Sequence, residues 1–439
     1  MNRKPMSSVV RSVCVPVLAA AMALSASLAC AQNSALDPSP RGDEWWAQRN
    51  EEKKALVQEG GIDLLFVGDS ITHGWEGAGA AVWEEYYGDR NAANIGFSGD
   101  QTQHVLWRFE NGELDGISPK LAVVMIGTNN FHANTAEEIA EGVSAVVNTL
   151  REKLPSTKVL LLAIFPREDQ PQEYRDKLAR ANAILEETEF DDAVHFMDIG
   201  PWFLEPDGSL PPSVMPDLLH PNEVGYQLWA EAIEPKVAEL MGEPAPKGWK
   251  RLFNGEDLTG WEPIGSDSWH VEDGMLYTVG GEGGWLSTDR EYGDVDLQLE
   301  FRVPEGGNSG VFLHAPRTGN PAFEGIEIQL IDDYTDAYGE LQPWQLTGSV
   351  YAVAAPSREV ALPAGEWQKI RIRAAGHRVM VIFNDTPIVN IDRSKAQSHA
   401  EEHPGLMRTS GYIGLQNHGS RFDFRNIWIR ELASEAASE

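Results

Sequence analysis

The sequence predicts two domains in series: a three-layer α/β/α domain on a parallel sheet, followed by an all-β sandwich. Three observations lead there. The first half alternates short, continuous apolar runs with segments of helical spacing, as expected for strands buried on both faces with helices between them. The second half switches to period-two alternation broken by turn signals. A chain of 439 residues is also long for a single core.

Residues 1–31 read as a cleaved export signal. Arg3, Lys4 and Arg11 make a basic start, an apolar stretch runs from Val13 to Ala29, and Ala29-Cys30-Ala31 has the small-x-small form of a cleavage site. A membrane anchor fits less well: the run is short, contains Pro16 and serines, and is followed by no second apolar span. Lipid attachment at Cys30 also fits less well, because Ser27 stands where leucine is usual. The expected location is periplasmic or extracellular. Both cysteines, Cys14 and Cys30, fall in this segment, so cleavage after Ala31 leaves no thiol and no disulfide, and both domains must hold by packing alone. Formal net charge is −32, and the basic leader makes the remainder more acidic still. Such a surface repels nucleic-acid backbones and anionic lipid heads. The expected partners are a small-molecule or glycan ester, with no nucleic acid and no stable membrane insertion. No feature fixes an oligomeric state.

Residues 32–42 are polar, contain proline and read as a linker. From 43 to 242, the runs Ile62–Val67, Leu121–Ile126, Val159–Ile164 and Val194–Met197 are the expected strands. Thr135-Ala-Glu-Glu138 is a capping box, and Ile139, Val143, Val146, Val147 and Leu150 form the apolar face of the helix behind it. Val224, Leu228, Ala232 and Ile233 predict a last helix with a similar stripe. Gly242-Glu-Pro-Ala-Pro246 breaks that helix, so 243–247 is a linker. The sandwich is expected over 248–432, from alternating runs such as Val295–Phe301, Ile326–Leu330, Ile370–Arg373, Val379–Phe383 and Phe424–Ile429. Glu272-Asp-Gly274 and Asn384-Asp385 mark turns. Residues 433–439 form a tail.

Gly68-Asp69-Ser70 follows the apolar run Leu64–Val67, and sites in open parallel sheets gather at the carboxyl ends of strands. A helix opening at Ser70 would aim its first N–H groups at a developing oxyanion. By itself the tripeptide also fits a turn with a capping serine. Late in the chain, Met215-Pro-Asp217-Leu-Leu-His220-Pro221 has a D-x-x-H spacing that can set a carboxylate under an imidazole. Position 72 is Thr, so the G-x-S-x-G elbow of the α/β-hydrolase fold is absent. No cluster has zinc-ligand spacing. Neither metal nor cofactor is expected. His73, His104 and His132 lie near these motifs and are given no chemistry.

Four ordered blocks, Gly68-Asp69-Ser70, Gly96-Phe-Ser-Gly99-Asp100, Gly127-Thr128-Asn129 and Asp217-x-x-His220, resemble the SGNH (GDSL-type) hydrolases. Gly99–Arg108 with Asn111-Gly-Glu-Leu114 is similar to the catalytic subunits of the platelet-activating-factor acetylhydrolases. The resemblance implies a flavodoxin-like sheet. It also implies Ser70 as nucleophile, His220 as general base, Asp217 as its orienter, and an oxyanion hole of the Ser70 and Gly99 N–H groups with the Asn129 amide.

In the second half, Glu327 and Gln329 lie two apart and share a strand face. They could line a sugar groove with Trp344 or Tyr351 stacking on a ring, or simply face water. The segments Trp249–Trp261, Trp269–Gly274, Gly307-Asn-Ser-Gly310, Glu327-x-Gln329-x-x-Asp332, Ala364–Trp367 and Gly411–Gly419 resemble the 3-keto-disaccharide hydrolase domain. That resemblance implies a concanavalin A-like jelly roll with Glu327, Gln329 and His418 lining its site. His314 departs from it, standing where many members have arginine. The expected function is an exported esterase for short-chain, chiefly acetyl, esters on carbohydrates, whose second domain binds glycan or cleaves a keto-glycoside. The alternatives are a small-lipid ester acetylhydrolase and a non-catalytic glycan-binding surface protein.

Overall fold

In the computed structural model, five parallel strands form the first sheet: β1 (Leu64–Gly68), β2 (Ala92–Gly96), β3 (Leu121–Met125), β4 (Lys158–Leu162) and β5 (Val194–Met197), in the order β2-β1-β3-β4-β5. This is the flavodoxin-like order, and it places a topological switch between β1 and β3. The described residues are 33–398 and 403–433. The export-signal reading, the lipid-attachment alternative and nearly all of the tail lie outside them.

Both faces of the sheet are covered, which is why its strands read as unbroken apolar runs. Leu64 and Phe66 of β1 pack with Trp75, Tyr226 and Trp229, whereas Leu65 and Val67 point to the opposite cluster with Val105, Val143 and Val147. Helices α1 (Glu44–Glu59), α2 (Ser70–His73), α3 (Ala80–Tyr87), α4 (Thr102–Glu110), α5 (Ala136–Lys153), α6 (Gln172–Glu187), α7 (Gly200–Phe203) and α8 (Glu223–Met241) complete the layers. The capping box forms on α5: Glu138 N–H donates to Thr135 Oγ1 at 3.2 Å and Thr135 N–H to Glu138 Oε2 at 2.9 Å. All five apolar residues expected on its face are buried.

Two readings change. The expected stripe on α8 is shifted: Val224 is 53 % exposed, and the buried face runs through Tyr226, Trp229, Ile233 and Val237. Residues 34–41, expected as a linker, lie against α4 and α5. Ala35 is fully buried and its carbonyl accepts from Thr102 Oγ1 at 2.8 Å, while Ser39 N–H donates to the Gln103 carbonyl.

The second domain is a sandwich of two antiparallel sheets. One runs, in spatial order, Ile326–Ile331, Asn308–Ala315, Tyr412–Asn417, Gly284–Thr288, Trp261–Ile264. The other has eight strands, with Val295–Arg302 between Trp367–Ala375 and Asp423–Glu431 at its centre. Inward-facing Leu297, Leu299, Phe301, Ile328, Leu330, Ile370, Ile372 and Phe424 fill the space between the sheets. Asp273 (φ 51°) with Gly274 (φ 76°), and Asn384 (φ 48°) with Asp385 (φ 65°), take the positive-φ pairs of tight hairpins.

From Ser34 onward the two domains form one compact unit. In the run Val379–Phe383, Val379, Val381 and Phe383 face the sandwich core. Met380 and Ile382 point the other way and join the apolar cluster of the first domain. Beside them, Asp296 is buried among Arg371, Arg373 and Arg430, with Glu231 of α8 paired to Arg373 and Arg430.

Candidate active site

Ser70 sits just beyond the carboxyl end of β1. The helix it opens is a single turn, Ser70–His73. The preceding Asp69 caps it by accepting the Ile71 N–H at 3.0 Å. Asp69 is wholly buried, and that burial pushes its carboxyl up to about 7 against the pull of the Ile71 N–H.

Ser70 Oγ lies 2.8 Å from His220 Nε2, and His220 Nδ1 lies 2.7 Å from Asp217 Oδ2. A carboxylate only accepts, so Nδ1 carries the hydrogen and Nε2 turns its lone pair to the serine hydroxyl. Asp217 also builds the turn that brings it there. Its Oδ1 accepts the N–H groups of Leu219 (3.1 Å) and His220 (2.7 Å), around Leu218 at φ 61°. Partial burial would raise the Asp217 carboxyl. The backbone and ring N–H donors of His220 outweigh it and hold Asp217 below the usual range. Leu218 is pinned in turn, its carbonyl accepting the Glu168 N–H at 2.8 Å.

The loops after β2 and β3 flank this array. Gly99 adopts φ +80°, a conformation that L side chains rarely take. Among the described residues its N–H has no protein acceptor. Asn129 donates one Nδ2 hydrogen to the Asp100 carbonyl at 2.9 Å, its second hydrogen having no acceptor among the described residues, and its main-chain carbonyl accepts from Gln101 Nε2 at 2.7 Å. Behind Gly99, the buried Asp100 accepts from Trp46 Nε1 (2.8 Å) and Arg108 Nε (3.1 Å). Arg108 also pairs with Glu113 and lies 3.9 Å over the Phe97 ring. This buried network fixes the loop, and it accounts for the run Gly99–Leu114 as scaffolding.

Ser70, His220, His73, Ser98, Pro221 and Tyr226 line an open cleft of about 510 Å³. His73, given no chemistry from sequence, is a wall of it, with Nδ1 2.8 Å from Ser98 Oγ. His104 is a cap: its Nδ1 accepts the Gln101 N–H, and burial with nearby Arg41 and Arg108 pushes it down to about 4, so it is neutral. His132 packs on Phe131 and Tyr174. Sequence reasoning missed Arg41, whose Nη1 donates to the Ser98 carbonyl at 2.5 Å. It lies in a polar, proline-containing segment outside every motif, so no pattern marked it.

In the sandwich, Glu327 and Gln329 do share the outer face of their strand, since Ile326, Ile328 and Leu330 point into the core. Both are buried and do not face water. Gly310 makes room: a Cβ there would come within 2.1 Å of Glu327 Oε1. Burial pushes the Glu327 carboxyl up to about 8, only partly opposed by Gln416. Gln416, His418, Trp285 and Phe312 line a second cleft of about 510 Å³ on this sheet; of the three residues expected to line a site together, His418 does so, while Glu327 and Gln329 are buried and not among its walls. Trp344 and Tyr351 meet each other edge-on at 5.7 Å. His314 sits at a bulge with φ 51°, its Nε2 2.9 Å from the Gly293 carbonyl, and is part of the frame. Among the described residues no cluster of His, Cys, Asp and Glu has the geometry of a metal site.

A serine, imidazole and carboxylate in line at the carboxyl end of a flavodoxin-like sheet define the class: a serine-dependent ester hydrolase. Residues 66–228 match the GDSL-like Lipase/Acylhydrolase family, and the chain belongs to that family. Residues 248–430 match the 3-keto-alpha-glucoside-1,2-lyase-like domain. The chain is 34% identical over 225 residues to platelet-activating factor acetylhydrolase IB subunit alpha1 of Bos taurus, a match covering 49% of this chain and 94% of that protein. It is 35% identical over 204 residues to subunit alpha2 of Rattus norvegicus, covering 46% and 88%. A solved structure from Parabacteroides distasonis, provisionally named a glycosyl hydrolase, is 32% identical and covers 42% of this chain and 99% of its own, with a TM-score of 0.38.

Proposed function

We propose that this is an exported serine esterase that removes acetyl or similarly short acyl groups from carbohydrate esters, its sandwich domain engaging the glycan or cleaving a keto-glycoside. The observation that carries the esterase chemistry is the line Ser70–His220–Asp217, at 2.8 and 2.7 Å. Ser70 attacks the ester carbonyl and His220 takes its proton. The oxyanion forms against the N–H groups of Ser70 and Gly99 and the free hydrogen of Asn129. The alkoxide leaves with the proton from His220, and water repeats the sequence on the acyl-enzyme.

The acetyl preference is supported by the relatives, which are named acetylhydrolases. The sugar is supported by the partner domain, and by Trp45, which is 44% exposed and stacks on cleft-lining His73 at 5.8 Å, offering a ring face to a pyranose. The relatives' names also point to a small-lipid ester as an alternative alcohol. The net charge of −32 disfavours prolonged contact with anionic membranes.

The test compares the protein with Ser70→Ala on p-nitrophenyl acetate and on acetylated xylan. Both activities are expected to vanish in the variant. Equal rates would remove the esterase reading, and activity confined to the small ester would remove the sugar. Release of sugar from a 3-keto-disaccharide, retained in Ser70→Ala and lost in Glu327→Ala, would make the sandwich an enzyme in its own right.

A further inference from the structure

We infer that Arg41 is a positioning residue of the esterase site, holding in place the peptide group whose N–H stabilises the oxyanion. The inference rests on the esterase reading above and adds to it a residue from outside the family's motifs. The carbonyl of Ser98 and the N–H of Gly99 belong to one rigid peptide plane. Arg41 Nη1 donates to that carbonyl at 2.5 Å, a charge-assisted bond, so the N–H on the opposite edge is turned away from Arg41. The same N–H lacks a protein acceptor among the described residues, as an oxyanion donor must.

The geometry answers a specific weakness of the loop. A glycine at φ +80° gives the Ser98–Gly99 peptide freedom to rotate. Rotation would swing a carbonyl oxygen toward the developing negative charge, replacing attraction by repulsion. Arg41 opposes it from one side, while the Ser98 hydroxyl is bound to His73 Nδ1 at 2.8 Å. A donor bound to the carbonyl oxygen also polarises the peptide and strengthens its N–H as a donor.

Arg41 is itself held in register. Nε and Nη2 lie 2.9 and 2.7 Å from Asp43 Oδ2, and Nη1 lies 3.9 Å from the buried Asp100. The segment that delivers it is fastened upstream by buried Ala35 and by Asn134 Nδ2, which donates to Ser34 Oγ at 3.0 Å. Gly99 leaves the space that Arg41 uses: a Cβ there would stand 2.7 Å from Nη1.

The test measures kcat and KM on p-nitrophenyl acetate for the full chain, Arg41→Ala, Arg41→Lys and the Ser70→Ala control, with melting temperatures alongside. Arg41→Ala is expected to lower kcat roughly tenfold or more with KM within about twofold, because the Gly99 N–H acts on the transition state and not on bound ester. Arg41→Lys should recover part of kcat, since an ammonium can still donate to the Ser98 carbonyl. An unchanged kcat in Arg41→Ala would overturn the inference. So would a loss accompanied by a lowered melting temperature and no recovery in Arg41→Lys, which would mark Arg41 as a fold contact only. Full activity in Ser70→Ala would instead overturn the esterase reading, and the role of Arg41 with it.

Discussion

Arg371, on a central strand of the sandwich, donates Nη2–H to the backbone carbonyl of Glu231 in α8 at 2.8 Å. That carbonyl lacks its usual helical partner, because the residue four positions on is Pro235, which has no N–H. Nη1 of the same guanidinium donates to the Ala232 carbonyl at 2.9 Å, and Nε and Nη2 grip Asp296 at 2.7 and 2.6 Å. The carbonyl that the proline deprives of its helical partner is thus satisfied by the second domain.

Removing Arg371 therefore strikes both domains. Arg371→Met keeps the bulk but strands the Glu231 carbonyl and weakens the hold on Asp296. Breaking such a buried cluster costs about 3–5 kcal/mol. A single, lowered melting transition in calorimetry is expected. Two separate transitions in the native chain would contradict one cooperative unit.

The same cluster sets an acid limit. Burial alone would raise Asp296, but Arg371, Arg430 and Arg373 outweigh it and bring the carboxyl down to about 2. A folded pKa below the unfolded 3.8 means that the stabilisation is complete above about pH 4 and is lost as pH falls through about 2. Asp296→Asn should lose stability at neutral pH, and its deficit relative to the native chain should shrink on acidification, as denaturation midpoints would record.

At the esterase site, Asn129→Ala is expected to lower kcat by roughly 10²–10³-fold, the usual effect of losing one oxyanion donor. Asp217→Asn should cost on the order of 10⁴-fold, because an amide no longer dictates which ring nitrogen of His220 carries the hydrogen. Steady-state kinetics on p-nitrophenyl acetate checks both, and losses below tenfold would count against the assigned roles.

The parts legible in the sequence were those where local pattern and final environment agree. Leu64–Gly68 and Leu121–Met125 are buried on both faces and read so. Ser70, Asp217 and His220 sit in short motifs whose own backbone geometry builds the site. The strand Ala92–Gly96 escaped notice because Asn94 interrupts its apolar run. Its side chain is buried, with Nδ2 donating to the Thr72 carbonyl at 2.9 Å and Oδ1 accepting the Gly96 N–H at 2.8 Å, a use no periodicity announces. The stripe of α8 was misplaced because the sandwich covers a second side of that helix, so burial there follows the domain interface and not one apolar face. Met380 and Ile382 are buried for the same reason.

Trp45 gives a test of the alcohol. Its indole is exposed and stacked on His73, a wall of the cleft. Trp45→Ala should leave p-nitrophenyl acetate hydrolysis within about twofold and reduce kcat/KM on acetylated xylan roughly tenfold, equivalent to about 1.4 kcal/mol of lost stacking. Equal effects on both substrates would assign Trp45 to packing.

Glu327, unlike Asp296, is buried with no arginine set against its carboxyl among the described residues. Its carboxyl is buried against the gap left by Gly310, with Gln416 as its polar partner and no cation acting on it among the described residues. The folded pKa of about 8 lies above the ordinary 4.5, so the folded state binds the extra proton and the penalty appears as pH rises. Stability linked to this group is intact below about pH 4.5 and is lost as pH climbs through about 8. Glu327→Gln, which cannot ionise, should therefore melt close to the native chain in acid, gain on it progressively between those values, and hold a constant advantage above them. A difference that does not change with pH would mean the carboxylate is already charged and compensated. A gain in alkaline stability accompanied by loss of keto-glycoside cleavage would show that the neutral acid is retained at a cost to the fold.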